Sequence, residues 1–227
     1  MFIKNLKKLT IAALAIACMI PAGVSSANVE NVSRIAGEDR IATSIEISKA
    51  MFNESDNVVL ASGYNFADAL SAGQLAAALN APLILSNDQL DTRTSDEIAK
   101  LKPKNIYIVG GETALSSNIE ESVKSVVNDI NIERIKGNDR YETSVKVMEK
   151  TKEFVDAEYL LIASGKNFPD ALSATSFMAD HKALMVLSDG NSYPKSDLQE
   201  IAIGGVNQLP LNGFTGERIA GNDRYQT

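Results

Sequence analysis

The chain has 227 residues, of which 44% are hydrophobic and 22% charged, and its formal net charge is −7. This composition is typical of a globular protein with one large or two small domains, and it excludes a disordered, collagen-like or disulfide-stapled chain, since cysteine occurs once. A generic nucleic-acid-binding protein is also disfavoured, because an acidic surface repels phosphate.

The first 27 residues have the features of a secretory signal peptide. Lysines precede an apolar run from Leu9 to Ile20, Pro21 ends that run, and small residues follow up to a cleavage site after Ala27. The run is too short for a comfortable membrane anchor. We therefore expect an exported chain that starts at residue 28 and has no cysteine. A lipoprotein with Cys18 as its lipidated residue is the alternative.

The rest of the chain is an internal duplication. An eight-residue motif at Arg34 (Arg-Ile-Ala-Gly-Glu-Asp-Arg-Ile) recurs from Arg134 and again from Arg218. Between these copies, the motif Ala-Ser-Gly-x-Asn-Phe-x-Asp-Ala-Leu-Ser-Ala starts at Ala61 and again at Ala163. Motifs that recur in the same order indicate tandem repeats. The predicted domains are a signal peptide (1–27), a first repeat (28–131), a shortened second repeat (132–217) and the start of a truncated third repeat (218–227).

The first repeat alternates predicted strands and helices. Apolar runs predict strands at 58–61, 83–85 and 106–109, and apolar residues at helical spacing predict helices at 66–79, 95–101 and 116–127. Elements that alternate in this way form right-handed βαβ units and a parallel sheet covered on both faces. The predicted fold class is α/β, with tandem Rossmann-like, doubly wound and mainly parallel repeats.

The second repeat is shorter than the first. Matching residues are offset by 102 positions at the longer motif but by only 84 between Arg134 and Arg218, so 18 residues are lost between these points. A predicted helix precedes Arg134, whereas the corresponding segment before Arg218 contains Pro210 and two glycines. We expect that helix to be missing from the second repeat.

Each eight-residue motif is expected to close a strand and open a helix. In its second copy Asp139 is a predicted N-cap, and Glu142 completes a capping box. Asp39 and Asp68 are likewise placed at helix starts, where capping explains them. An arginine in the first turn opposes the helix dipole, so Arg40 requires another explanation. Two explanations of Arg40 remain open: a salt bridge to a neighbouring repeat and a contact with an anionic ligand.

Few residues of the chain suit catalysis or cofactor binding. The dinucleotide fingerprint, the Walker A motif and the Gly-x-Ser-x-Gly nucleophile elbow are absent from the sequence. The one histidine, His181, is expected to be solvated or packed, and we expect neither a metal site nor a cofactor. A carboxylate pair remains as the catalytic option. Its candidates at one sheet edge are Asp39, Asp68, Asp88 and Glu112.

Four motifs occur in a fixed order along residues 31–227. They are Arg-Ile-x-Gly-x-Asp-Arg-Tyr-x-Thr-Ser, Ala-Ser-Gly-x-Asn-Phe-x-Asp-Ala-Leu-Ser-Ala, the strand 82–86 and Tyr107-Ile108-Val109-Gly110-Gly111. This combination closely resembles the cell wall binding repeat 2 family. The resemblance implies three tandem repeats that pack as a pseudo-threefold trimer of Rossmann-like domains. It also implies a non-catalytic module that holds surface-layer and other wall proteins of Gram-positive bacteria, noncovalently, to an anionic secondary cell wall polymer.

The resemblance also associates the strand Leu83-Ile84-Leu85 with attachment, and the second repeat has Met185-Val186-Leu187 in its place. Because the exported chain is acidic, binding to an anionic polymer has to be local. Arginines, amide donors at helix starts and asparagines would contact phosphates and sugar hydroxyls at several weak sites. The predicted polymer-binding residues are Asp39, Arg40, Asn65, Asp68, Leu83, Ile84, Leu85, Asp139, Arg140, Asn167 and Asp170.

The expected location is outside the cell, at the cell wall or cell surface. Nucleic acid is not expected as a partner, and neither is a membrane after signal cleavage. A homo-oligomer or a pseudo-trimeric packing of repeats is open. Two alternative functions remain: an exported wall-glycan hydrolase or amidase-associated protein that uses the aspartate cluster, and an α/β solute-binding protein.

Overall fold

The computed structural model describes residues 34–221, so the predicted signal peptide and residues 222–227 lie outside it. In the first repeat, helices and strands alternate along the chain. They are α1 Arg40–Met51, β1 Asn57–Ser62, α2 Phe66–Ala78, β2 Leu83–Ser86, α3 Thr92–Leu101, β3 Asn105–Val109, α4 Asn118–Val126 and β4 Asn131–Ile135.

The second repeat has fewer helices in its described part. Its elements are α5 Arg140–Thr151, β5 Tyr159–Ser164, α6 Pro169–Asp180, β6 Ala183–Ser188, β7 Gln199–Ile203 and β8 Glu217–Ile219. None of the described helices has both the length and the apolar character that a bilayer crossing requires.

Each repeat forms a four-stranded sheet in which all paired strands are parallel. The strand order is β2-β1-β3-β4 in the first sheet and β6-β5-β7-β8 in the second. The four strands of the second repeat therefore occupy the same positions in their sheet as the corresponding strands of the first repeat. This arrangement confirms the predicted α/β class and the doubly wound parallel sheets.

The first sheet is covered on both faces, because alternate residues of its buried strands point to opposite sides. Val58 and Leu60 of β1 face α1, α3 and α4, whereas Val59 and Ala61 face α2. The helix residues buried on the first face are Ile41, Ile45, Ile98, Leu101, Ile119 and Val123. Those buried on the second face include Ala72, Leu75 and Ala76.

The second sheet lacks two helices that the first one has. The segments that contain α3 and α4 in the first repeat correspond to residues 189–198 and 204–216, where no helix forms. The sequence predicted a missing helix only before Arg218. The structure shows that the 18 missing residues are divided between two crossovers, the one from β6 to β7 and the one from β7 to β8. Apolar loop residues pack on β5, β6 and β7 where helices would otherwise lie; they are Tyr193, Leu198, Leu209, Leu211 and Phe214.

The strand that closes each sheet lies at the start of the next sequence motif. Arg134 and Ile135 belong to β4, which pairs with β3, and Arg218 and Ile219 belong to β8, which pairs with β7. The Arg134 side chain, 8% exposed, donates hydrogen bonds to the carbonyls of Gly110, Leu115 and Ser116 at 3.1, 2.9 and 3.3 Å. It therefore fixes the loop after β3 and also pairs with Glu120 at 2.8 Å.

The two repeats are joined by a buried contact in which α2 packs on α5 and β6. Phe66 and Leu70 of α2 pack against the apolar cluster of the second sheet. The buried side chain of Gln74 donates to the carbonyl of Met185 at 2.9 Å and accepts from its N–H at 3.0 Å. Because β6 is an edge strand, this carboxamide takes the place of a neighbouring strand at one residue.

Candidate functional site

A polar crevice lies at the carboxyl ends of β1, β2 and β3. Doubly wound sheets bind ligands at this edge, where neighbouring crossovers leave in opposite directions. The crevice has a volume of about 370 Å³. Its lining residues come from three loops and are Ser62, Tyr64, Asn65, Asn87, Asp88, Thr113 and Ala114.

Asn65 is held in place by a buried aspartate. Its Nδ2 donates to Oδ2 of Asp68 at 2.7 Å, and Asp68 is only 4% exposed. The carboxyl group packs against Gly110, whose φ of +118° and lack of a side chain leave room for it. Burial raises the pKa of Asp68 from 3.8 to about 6, and the nearby Arg140 opposes that rise. Asp68 is thus not the N-cap that sequence suggested; it positions Asn65.

Arg40 and Arg140 have the same role in the two repeats. The Nη1 of Arg40 donates to the carbonyl of Gly63, and the Nη1 of Arg140 donates to that of Gly165, both at 2.9 Å. The Arg40 guanidinium lies 5.2 Å from the centre of the Tyr64 ring. A hydrogen bond to the loop after β1 therefore accounts for an arginine in the first helical turn, which neither of the two sequence explanations included.

Arg140 also contacts the other repeat. Its guanidinium lies 5.3 Å from the centre of the Phe66 ring, which belongs to the first repeat. This contact is a cation–π interaction rather than a salt bridge. Arg40 is exposed and presents further N–H donors to solvent, whereas Arg140 is half-buried.

Asp39 and Asp139 cap the helices that follow them. Asp39 accepts from the N–H of Ala42 at 2.7 Å, and Asp139 accepts from that of Glu142 at 2.8 Å. Asp39 also pairs with Arg93 at 3.3 Å, and these contacts hold its pKa below the ordinary value. The predicted N-cap at Asp139 is confirmed, and both acids have structural partners.

Leu83, Ile84 and Leu85 form β2, the edge strand of the first sheet. Ile84 is fully buried, whereas Leu83 and Leu85 are half-buried and line an apolar groove beside α1. None of the three lines the polar crevice. The strand lies in a different place from Asn65 and the other crevice residues, and its contact with polymer stays a prediction.

The second repeat closes the corresponding edge differently. Nδ2 of Asn167 donates to Oε1 of Gln208 at 3.3 Å, across the opening where Asn65 faces a crevice in the first repeat. Asp170 is buried against Gly204, whose φ is +111°, as Asp68 is against Gly110. The aspartate–glycine packing is thus repeated, while the crevice loops differ.

Three of the four candidate carboxylates have structural partners, and the fourth, Asp88, lines the polar crevice. Asp39 bonds Arg93, Glu112 bonds Lys136, and Asp68 is buried beneath Asn65. No cluster of three or more histidine, cysteine or acidic side chains able to hold a metal occurs in residues 34–221. His181 stacks on Phe177 with ring centres 4.1 Å apart, which agrees with a packed histidine.

The predicted polymer-binding residues do not include several residues of the crevice. Ser62, Tyr64, Asn87 and Thr113 are small or polar residues just after strand ends, a position that could have marked them. Gln74 carried no comparable signal, because its partner is a backbone group 111 residues away.

The chain matches the family model for cell wall binding domain 2 (CWB2) over residues 34–120 and 134–212. Two similar solved structures are Cwp6 and Cwp8 from Clostridium difficile. They superpose with TM-scores of 0.76 and 0.74 and are 30% and 25% identical in sequence. In each case 84% of this chain is covered, against 33% of Cwp6 and 35% of Cwp8.

Two curated relatives come from Bacillus subtilis (strain 168). N-acetylmuramoyl-L-alanine amidase LytC is 29% identical over 97% of this chain, and the amidase enhancer is 31% identical over 89% of it. The chain spans 46% of the first protein and 29% of the second, less than half of either. Since the family model covers both repeats, this chain belongs to the cell wall binding domain 2 family.

Proposed function

We propose that the chain is an exported, non-catalytic module that anchors noncovalently to an anionic secondary polymer of the cell wall. The observation that carries this proposal is the polar crevice of the first repeat, open at the carboxyl ends of three parallel strands. Membership of a family of cell wall binding domains supports a glycan of the wall as the partner.

The crevice side chains suit a sugar phosphate. Asn65 and Asn87 have amide donors and acceptors for sugar hydroxyls, and Thr113 adds a hydroxyl. Tyr64 is 69% exposed, so its ring provides a flat apolar surface for a sugar ring. Arg40 lies against Tyr64 and supplies the positive charge for a phosphate. These contacts act locally and do not require an overall positive charge.

Binding rather than hydrolysis is the function that the acids support best. A pKa of about 6 would suit a general acid, but Asp68 is buried and its Oδ2 accepts from Asn65. Hydrolysis of a glycosidic bond also needs a second carboxylate across the bond. Of the other three candidates, Glu112 and Asp39 are each paired with a basic side chain, and Asp88 alone lines the crevice.

Sedimentation with purified cell walls tests the proposal. The chain without residues 1–27 should pellet with walls and remain in solution once the phosphate-containing polymer has been stripped from them. Pelleting that survives stripping would contradict a polymer partner. Turnover of wall glycan that Asp68→Asn abolishes would favour the hydrolase, and a small ligand that raises Tm without wall binding would favour the solute-binding protein.

Two matched variants test the site. Asn65→Ala should weaken wall binding about tenfold, because it removes hydrogen bonds to a charged or hydroxyl-rich ligand. Asn167→Ala removes the equivalent residue of the second repeat, whose amide bonds Gln208, and should change binding by less than about twofold. Equal losses in the two variants would show that the crevice of the first repeat is not the principal site.

A further inference from the structure

The polar crevice lies where doubly wound folds commonly bind phosphate. In such folds the helix after the first strand begins at the crevice, and its free N–H groups and dipole attract an anion. Here that helix is α2, which follows β1 and begins at Phe66. A sugar phosphate would therefore be expected to place its phosphate at this helix start.

The start of α2 already contains an anion that belongs to the protein. Asp68 is the acidic residue of the first turn, and it is 4% exposed. Its Oδ2 lies against Gly110 in the loop after β3. A carboxylate in this place interacts with the positive end of the helix from inside the protein, so a bound phosphate would meet a like charge.

Asp68 also decides which end of the Asn65 amide faces a ligand. Nδ2 of Asn65 donates to Oδ2 of Asp68 at 2.7 Å, because a carboxylate can only accept. The amide oxygen of Asn65, Oδ1, is therefore turned away from Asp68, and no described residue bonds it. Asn65 thus offers the crevice an acceptor, which suits a hydroxyl group better than a phosphate.

The charged side chains around the crevice agree with this polarity. Of the described residues that line it, Asp88 is the charged one, and it is exposed. In the loop after β3, Glu112 is paired with Lys136. Arg40 lines the apolar groove and contacts Tyr64, which borders both the groove and the crevice. The positive charge of Arg40 therefore lies outside the crevice lining.

We propose that Asp68 determines specificity through Asn65: it keeps the amide oxygen in the crevice, so that the crevice selects an uncharged, hydroxyl-bearing sugar unit and excludes phosphate. This inference rests on the wall-polymer function proposed above and names the part of the polymer that the crevice binds. Asp68 is a positioning residue, because it acts on the ligand through Asn65. The phosphates of the polymer lie outside the crevice, on the side of Tyr64 where Arg40 lies.

Protonation of Asp68 should reverse this selection. The neutral carboxyl group can donate to Oδ1 of Asn65, so the amide can turn and present Nδ2 to the crevice. Arg140 on α5 stabilises the carboxylate, whereas burial destabilises it more strongly and raises its pKa to about 6. With this pKa, Asp68 is about 1% protonated at pH 8 and about 90% protonated at pH 5.

Competition by sulfate tests the proposal, because the charge of sulfate does not change between these two pH values. Pelleting of the chain without residues 1–27 with purified walls is measured against sulfate concentration, at constant ionic strength in sodium chloride. At pH 8, sulfate should displace Asp68→Asn at a concentration at least about tenfold lower than it displaces the wild type, because the neutral side chain lets the Asn65 amide turn. At pH 5 the two proteins should be displaced at the same concentration.

A matched variant controls for the change in net charge. Asp197→Asn also removes one negative charge, from an exposed residue of the second repeat, and should behave like the wild type at both pH values. Equal sulfate sensitivity of the wild type and Asp68→Asn at pH 8 would overturn the proposal.

A second measurement does not depend on walls. The side-chain NH₂ signals of Asn65 in NMR spectra, assigned with Asn65→Ala, report on sulfate in the crevice. They should shift with sulfate at pH 8 in Asp68→Asn but not in the wild type, and at pH 5 in both. Failure of the wild type to pellet with walls would refute the wall-polymer function. Absence of the shifts from Asp68→Asn, or their presence in the wild type at pH 8, would refute the role of Asp68.

Discussion

The two repeats share their motifs and strand order but differ in what surrounds their sheets. In the first, α3 and α4 cover one face; in the second, loop residues such as Leu209 and Leu211 cover the same face. The sheet tolerates this replacement because burial of apolar area, rather than a particular element, stabilises its face. Parallel pairing and the closing arginine are kept, so these define the repeat more closely than its helices do.

The repeats also differ in what they leave open. The first keeps an open polar crevice and an uncovered groove, whereas the corresponding β6 face in the second is buried under α2. A duplicated module can therefore divide its surfaces: one copy contributes the candidate ligand site, and the other provides the platform on which the first is held. Four predictions test this difference between the repeats by the stability that individual residues contribute.

Replacing the two closing arginines should give the largest effect. Arg134→Ala removes three hydrogen bonds to loop carbonyls and one ion pair, which we expect to cost about 3 kcal/mol of unfolding free energy. Among the described residues, Arg218 bonds just the carbonyls of Gly204 and Leu209, so Arg218→Ala should cost about 2 kcal/mol. Urea denaturation measures both, and a larger loss for Arg218→Ala would contradict the comparison.

Asp68 should make stability depend on pH. Because its pKa rises from 3.8 to about 6 on folding, the native state holds the proton more tightly, and stability falls as pH increases from about 4 to about 6. Asp68→Asn should remove that dependence and add up to about 3 kcal/mol at pH 7. Arg140→Met removes the positive charge that opposes the rise in the Asp68 pKa, so this variant should lose more stability than the wild type as pH increases. Thermal unfolding at several pH values is the measurement, and identical profiles would refute the assignment.

The carboxamide of Gln74 should contribute more to stability than its neighbours on α2. Gln74→Leu leaves the N–H and C=O of Met185 buried without a partner, which we expect to cost about 2 kcal/mol. Hydrogen exchange at Met185 should quicken at the same time, while exchange at Leu83, whose N–H no described residue bonds, should not change. A neutral Gln74→Leu would show that apolar packing alone joins the repeats.

The smallest effect is expected at two equivalent serines. Ser44 Oγ accepts from the N–H of Leu85 at 3.0 Å, and Ser144 Oγ accepts from that of Leu187 at 2.9 Å. The second pair is buried at the contact between repeats, whereas water can reach the groove beside the first. Ser144→Ala should cost about 1.5 kcal/mol and Ser44→Ala about 0.5 kcal/mol. Equal costs, measured by urea denaturation, would indicate that the groove of the first repeat is also covered in solution.

Much of the fold could be predicted from the sequence, because motifs and apolar periodicity report local structure. The first repeat's strands, the cap at Asp139 and the missing counterpart of α4 are confirmed. The missing counterpart of α3 was not foreseen, since the motifs give only the total loss of 18 residues. Strand register divides that loss, because Tyr107 and Ile201 occupy the same place in the two sheets.

The site was predictable only in part. Asn65 follows a strand end, which marked it as a candidate, and the structure places it in the crevice. The role of Asp68 depends on a close approach to Gly110, and that of Arg40 on a backbone carbonyl. Both partners are glycines, Gly110 and Gly63, so neither offers a side chain that a sequence pattern could match with Asp68 or Arg40. Contacts between a side chain and distant backbone therefore escape motif analysis, and Gln74 is the clearest example.

The strand that closes the first sheet, β4, is followed by only four residues, 136–139, before α5 begins. Arg134 stabilises the sheet of the first repeat, and Asp139 caps the first helix of the second. The start of the sequence motif at Arg134 is therefore not the boundary between the two folded repeats. Shuffling repeats at the arginine codon would move the last strand of one sheet together with the following repeat. Any repeat that starts with the same two residues could then complete whichever sheet comes before it, so arrays of such repeats can lengthen or shorten by recombination without redesigning the junction.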